Sequence, residues 1–256
     1  LITPAALMGR VTHVFARVHE DGDRTARRVL TCIVVERLFA ETEELIGAAE
    51  AEGLRPALIG GIAVRVWVGS LGRRTHDVDL VLPAATEVER LARLLERRGY
   101  HVLDDPVWRR AVRGTGPERI LVDWTGPDVV DPDSLERYRL GGTRVNRPLE
   151  SRTVPVVDAA DLVVLKLLGS RDQDVSDLLA LVGADLAGCA PAAVAARALG
   201  GGAAVRVRAA ASRLRFALHT GDTVQAVGRV LGRPPAEVAV DALTAFVDGL
   251  LVGEKE

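Results

Sequence analysis

The stretch LIGGIAVRVWVGSLGRRTHDVDLVL, Leu58–Leu82, decides how this chain is read. Ala57-Leu58-Ile59 is a short apolar run suited to a buried strand, and Gly60-Gly61 breaks it at once. Ile62–Val68 can restart as a helix. Gly69–Thr75 is a basic loop, and His76–Leu82 alternates until Pro83 stops it, which predicts a second strand. Side chains alternate faces along a strand, so Asp77 and Asp79 share one side while Val78 and Leu80 point into the core. Two carboxylates about 7 Å apart along a strand repel unless a cation sits between them.

Outward from this stretch, Thr86–Arg98 predicts an amphipathic helix with Val88, Leu91, Leu94 and Leu95 inward and Glu89, Arg90, Arg93, Glu96 and Arg97 outward. Strands are expected over 100–103, 108–113 and 119–124, the last two joined by a Gly-Thr-Gly-Pro turn. Residues 131–146 show no clear period. Thr153–Val157 reads as a strand, and Asp158 as the N-cap of a helix to Leu168 with Asp161 in the capping-box position. Asp172–Val182 resumes the helix. From Pro191 the chain is Ala-, Arg- and Val-rich and expected to be helical, with a Gly200-Gly201-Gly202 hinge.

Upstream, residues 1–54 read as mostly helical with a polar break at Asp21-Gly22-Asp23. Leu30, Ile33, Val34, Leu38, Leu45 and Ile46 recur at helical spacing, and Glu41, Glu43 and Glu44 are expected on the solvated face. The fold class expected is α+β: a small mixed α/β core flanked by helices, with a helical C-terminal region. The divisions are 1–55 for a helical extension, 56–157 for the core and 158–256 for the helical remainder.

Composition narrows the function. The 256 residues are 48% apolar and 27% charged, an ordinary globular balance. A net charge of −2 argues against a protein devoted to coating nucleic acid, so an RNA partner has to be met by a local patch. Two cysteines, Cys32 and Cys189, make neither a disulfide framework nor a four-ligand zinc site, and a cytoplasmic location fits best. No apolar run approaches the ~18–20 residues of a membrane span. Leu1–Arg10 lacks a signal-peptide layout, and the true start is expected elsewhere, with Met8 a candidate.

Asp-x-Asp alone says little, since it recurs at Asp21/Asp23, Asp131/Asp133 and Asp172/Asp174. The strand context, the upstream strand-Gly-Gly-helix and the Arg73-x-Thr75 lead-in set Asp77/Asp79 apart. Asp123 is a third carboxylate inside the apolar run Ile120–Trp124. Should that strand lie beside the first, three carboxylates converge, the raw material of a two-metal site for displacement at phosphorus. Glycines at a strand-to-helix turn let backbone approach a phosphate. Lysine appears only at Lys166 and Lys255, and Lys166 sits in an apolar helical run, where a compact ammonium suits a point contact with phosphate; a snorkelling surface lysine is the alternative. Arg171, Asp174 and Asp177 fit a salt-bridged helix face as well as a site role. Trp67, Trp108 and Trp124 are read as core, and His76 is given no catalytic part.

This pattern resembles the polymerase-β-type nucleotidyltransferase superfamily, in particular its small bacterial AbiEii- and MenT-like branch, often toxins of toxin–antitoxin pairs. The matching residues are Gly60-Gly61-Ile62-Ala63, Arg73–Leu80, Asp123, Lys166 and Arg171–Asp177, and the similarity covers roughly 56–183. Many superfamily members carry Gly-Ser where Gly60-Gly61 stands. The resemblance implies that Asp77, Asp79 and Asp123 are the catalytic and metal ligands for two Mg²⁺ ions. It implies that Gly60, Gly61, Arg73, Thr75 and Lys166 serve a nucleoside triphosphate, and that a nucleoside monophosphate passes to an acceptor hydroxyl. A tRNA 3′ end as acceptor and a cognate antitoxin as partner follow from the branch. Arg109, Arg110, Arg113 and Arg119 are candidates for RNA phosphates. A small molecule of the aminoglycoside kind, a protein acceptor, or a catalytically inactive nucleotide-binding module are the competing expectations.

Overall fold

The computed structural model describes residues 22–70, 72–103, 109–116, 119–130 and 137–252. The order of elements is α1 (Gly22–Ala51), β1 (Ala57–Ile59), α2 (Gly60–Val68), β2 (Asp77–Val81), α3 (Ala85–Arg97), β3 (His101–Leu103), β4 (Arg109–Arg113), β5 (Ile120–Thr125), β6 (Asp128–Val130), β7 (Arg137–Arg139), β8 (Arg144–Pro148) and β9 (Thr153–Val157). Then come α4 (Ala159–Gly169), α5 (Asp172–Gly183), a short 3-10 turn (Ala187–Cys189), α6 (Pro191–Gly200), α7 (Ala204–Thr220), α8 (Asp222–Leu231) and α9 (Glu237–Val252). The fold is mixed α/β.

Seven strands form one mixed sheet in the order β3-β4-β5-β2-β1-β9-β8. The β2–β5 pair is parallel and lies at the centre, and β1 runs antiparallel to β2. Val78, Leu80 and Val122 have no exposure, as suits strands whose inner face is covered by packed helices. The β4–β5 hairpin forms with Arg113 opposite Ile120, as the Gly-rich turn predicts. Helix α3 buries Val88, Leu91, Leu94 and Leu95 and exposes the charged positions expected outside. The helices after Pro191 pack on α4 and α5, with α9 against α5 and α7. No described helix is long and apolar enough to cross a membrane.

Two expectations need correction, and a third region gains an assignment. Glu41 and Glu43 are not on a solvated face, being only 7% and 5% exposed, while Glu44 is exposed as expected. Each buried carboxylate has donors that helical periodicity cannot reveal. Glu41 takes the Tyr100 hydroxyl at 2.7 Å and pairs with Arg113. Glu43 takes the backbone amides of Glu150, Ser151 and Arg152 and the Ser151 hydroxyl, which together hold its pKa below the ordinary value against the effect of burial. Second, Asp158 does cap α4, accepting the Asp161 amide at 2.9 Å, but Asp161 does not close a capping box. Its carboxylate turns to the Tyr138 hydroxyl at 2.5 Å and the Gly141 amide at 3.2 Å. Third, the region without clear period holds β7 and the edge strand β8, where Arg, Asn and Pro suit an edge but mask alternation. Trp108 and the segment before Gly22 lie outside the described residues.

Candidate active site

β2 and β5 lie parallel with Asp79 directly opposite Asp123, and Asp77 stands two residues earlier on the same face. One carboxylate oxygen from each of Asp77, Asp79 and Asp123 falls within 4.8 Å of the others. Asp77 and Asp79 are half-buried and accept no hydrogen bond from any described residue. Burial and the neighbouring Asp77 charge push the Asp79 carboxyl up to about 8, with Asp123 adding to the rise and the Lys166 ammonium opposing it. Carboxylates gathered this closely repel one another, and a cation among them offsets that repulsion. Three hard oxygen donors of this kind fit a divalent ion such as Mg²⁺.

The glycines are placed by close approach. Gly60 follows β1, opens α2 and has φ +68°; a Cβ there would stand 1.8 Å from Asp79 Oδ2. A Cβ on Gly61 would stand 2.7 Å from Thr75 Oγ1 and 3.1 Å from an Arg73 terminal nitrogen. The first turn of α2 thus lies against the carboxylates, its free amides and positive dipole end beside them. Among the described residues Thr75 Oγ1, buried at the lip of this turn, has no hydrogen-bond partner, so it is able to bond a ligand group there.

The cations behind the carboxylates are tied together. Lys166 on α4, 6% exposed, places Nζ 3.0 Å from Asp174 and 2.8 Å from Asp177, both on α5 and both buried. Arg73 grips Asp177 side-on, Nε at 2.7 Å and a terminal nitrogen at 2.5 Å, and Arg171 grips Asp174 at 2.7 Å. Burial works against the Lys166 charge, but Asp177 and Asp174 hold its pKa above the ordinary value. Burial likewise opposes the Asp174 carboxylate, and Lys166 and Arg171 nonetheless hold it low. This network fastens the loop before β2 to two C-terminal helices. It also places a buried positive charge whose field reaches Asp79. Of the two readings of Arg171, Asp174 and Asp177, the salt-bridged one is met in the structure: Arg171 pairs with Asp174, and Asp177 pairs with Arg73 and Lys166.

Sequence reasoning named Arg110 only as a candidate for RNA phosphates and missed its pairing with Asp123. Arg110 on β4 lies opposite Asp123 and holds both of its oxygens at 2.6 Å. Counting outward from the hairpin turn would have found it, since Arg113 opposite Ile120 brings Arg110 opposite Asp123. The other hairpin arginines are not a free phosphate-binding row either: Arg109 pairs with Glu89 at 2.5 Å and Arg113 with Glu41, while Arg119 is exposed. Trp124 is buried and donates to the Val88 carbonyl; Trp67 donates to the Val157 carbonyl and carries Arg147 on its face.

No family model matches this chain. No curated protein matches it. Among solved structures it is similar to ANT(2″)-Ia in complex with adenylyl-2″-tobramycin, at TM-score 0.47 and 14% identity over 69% of this chain and 98% of that one. It is also similar to an antigenic nucleotidyltransferase-like protein from Paracoccidioides brasiliensis, at TM-score 0.45 and 15% identity over 80% of this chain and 95% of that one. A third is the lincomycin-bound lincosamide antibiotic adenylyltransferase LnuA, at TM-score 0.34 and 18% identity over 44% and 76%. Likenesses at this level carry no conclusion about activity. The weight falls on the three carboxylates and the turn packed against them.

A cavity of about 300 Å³ adjoins the network on its C-terminal side, between α4, α5, α7 and α8. Its walls are mostly apolar, and Lys166, Asp172, Arg213 and Asp222 are the charged residues on them.

Proposed function

We propose that this chain is a nucleotidyltransferase of the polymerase-β type, moving a nucleoside monophosphate from a nucleoside triphosphate to an acceptor hydroxyl. The observation that carries the reading is the convergence of Asp77, Asp79 and Asp123 within 4.8 Å beside a glycine turn that a Cβ on Gly60 would close. Asp77 and Asp79 would hold divalent metal, two Mg²⁺ ions by the resemblance, and Asp123 would share in the ligation. Bound there, the metal supplies neutralisation of the triphosphate and of the charge that develops at phosphorus. The acceptor oxygen forms a bond to the α-phosphorus as the α–β bridging bond breaks, pyrophosphate leaves, and the hydroxyl proton passes toward Asp123 or solvent.

The protein's own groups have separate tasks. The α2 amides and the Thr75 hydroxyl offer donors to phosphate oxygens. Arg110 sets the Asp123 carboxylate in the plane of its guanidinium. Lys166 and Arg73, held by Asp174 and Asp177, add positive potential behind the site without leaving their partners.

Two acceptors compete. A tRNA end, with a toxin role and an antitoxin partner, follows from the sequence resemblance. A small molecule is favoured by two observations: Arg109, Arg110 and Arg113 are already bound to carboxylates, and the 300 Å³ cavity lies against Lys166. The test is incubation with each α-labelled nucleoside triphosphate and Mg²⁺, adding total tRNA, then aminoglycosides, then nothing, with Asp77→Ala alongside. Transfer to RNA by the parent alone supports the toxin reading, and transfer to a small molecule supports the second. Triphosphate binding with no transfer to any acceptor leaves a non-catalytic nucleotide-binding module.

A further inference from the structure

A second cavity borders the sheet, away from the carboxylates. Where β2 leaves the sheet at Val81-Leu82-Pro83, roughly 10 Å along the strand from Asp79 at ~3.3 Å per residue, a cavity of about 290 Å³ opens. Its walls come from the ends of β2 and β9, the start of β8 and the loop Gly141-Gly142-Thr143. Arg139 and Arg144 are the charged residues on it.

Arg144 is half-buried, yet it makes no hydrogen bond or ion pair with any described residue. Among the described residues, the carboxylates around the cavity have other partners. Glu87 accepts the Arg55 amide at 2.7 Å and its guanidinium at 3.1 Å. Asp128 lies 3.5 Å from Arg139, and Arg197 takes Asp158 at 2.5 Å. Asp161 is taken by Tyr138 and the Gly141 amide. Burial and the nearby Arg55 charge depress the Arg144 pKa, only partly offset by Glu87. A guanidinium drawn out of water without a counter-charge is unfavourable, and an anion in the cavity would reverse that. The amides of Gly142, at φ +76°, and Thr143 have no acceptor among the described residues, so they too can donate.

We propose that this cavity binds a small phosphate ester, its phosphate held by Arg144 and Arg139 with the Gly142–Thr143 amides. Two forked guanidiniums and two amides offer more donors than one carboxylate accepts, whereas a phosphate has three terminal oxygens to meet them. Pro83, Pro127 and Leu140 supply apolar contact for the body of the ester, and the volume suits a compound of sugar-phosphate or mononucleotide size. The site is separate from the carboxylate triad and needs no metal.

The test uses the full chain in chelator, so that no nucleotide is held through a divalent ion. Inorganic phosphate and AMP are titrated by calorimetry and by thermal melting, with chloride at matched ionic strength and adenosine as controls. The expected result is one-to-one binding of phosphate and AMP, no binding of adenosine, and a rise in melting temperature. Arg144→Gln is expected to weaken binding at least tenfold while melting no lower than the parent without ligand. Arg144→Lys, which keeps the charge and loses the fork, is expected to weaken it severalfold, and Asp79→Asn to leave it unchanged. Absence of phosphate binding, binding undiminished in both Arg144 variants, or loss in Asp79→Asn with retention in Arg144→Gln would overturn the proposal. Each of these outcomes is independent of whether the triad transfers nucleotides.

Discussion

At Gly60 and Asp79 the local backbone and the charge chemistry depend on each other. Gly60→Ala places a methyl 1.8 Å from Asp79 Oδ2 at a φ of +68°, which L-residues rarely adopt. The expected cost is on the order of 1–3 kcal/mol, read from urea unfolding, with a fall in metal affinity because Asp79 must move. Asp79 also sets a pH dependence. Its carboxyl in the folded, metal-free protein is raised to about 8, so the folded state holds a proton that the unfolded chain has released. The Asp79 contribution to stability is therefore full below the unfolded carboxylate range and is lost as pH rises toward 8. Melting in chelator is expected to fall with pH across that window in the parent and to fall less in Asp79→Asn. Divalent ions compete with the same proton, so Mn²⁺ affinity, followed by electron paramagnetic resonance, is expected to rise with pH up to about 8.

Between elements, the buried network decides whether β2 and α5 keep their places. Asp177 has no exposure and is shared by Arg73 and Lys166, so Asp177→Ala strands the buried Arg73 and leaves Lys166 with Asp174 alone. A loss of roughly 3–5 kcal/mol is expected, as for other buried pairs broken on one side, measured by denaturant titration. A loss below 1 kcal/mol would show that the pairing is dispensable. Asp158→Ala removes the α4 N-cap and the partner of Arg197, with an expected cost of about 1 kcal/mol or somewhat more; the same titration checks it. The amphipathic α3, the hairpin turn and the alternation of β2 were legible because each follows from a short-range period. Edge strand β8 was not, because its residues answer to solvent on one side and to Val154 and Val156 on the other.

For the molecule as a whole, occupancy of the triad is expected to appear as global stability. Ligands that bind only the folded state raise it by about 2.7 kcal/mol at a hundredfold excess over Kd. Mg²⁺ with a nucleoside triphosphate is therefore expected to raise the melting temperature of the parent and not of Asp77→Ala. An equal rise in both would place the binding elsewhere. By itself the sequence determined that strand, glycine turn, helix and a second strand would follow one another around Asp77 and Asp79, since alternation, glycine conformation and helical period act over a few residues. It also marked Asp123 as a carboxylate in an apolar strand and Lys166 as an unusual choice of cation. Only the tertiary structure decided that β5 lies parallel to β2 with Asp123 opposite Asp79, that Arg110 holds Asp123, that Lys166 is paired with Asp174 and Asp177, and that Glu41 and Glu43 are buried. Those are pairings between separate segments, from 8 residues apart for Lys166 and Asp174 to 109 for Glu43 and Arg152. A local pattern says which face a residue is on, but the electrostatic partner it meets there depends on how the sheet is ordered and which helices close over it.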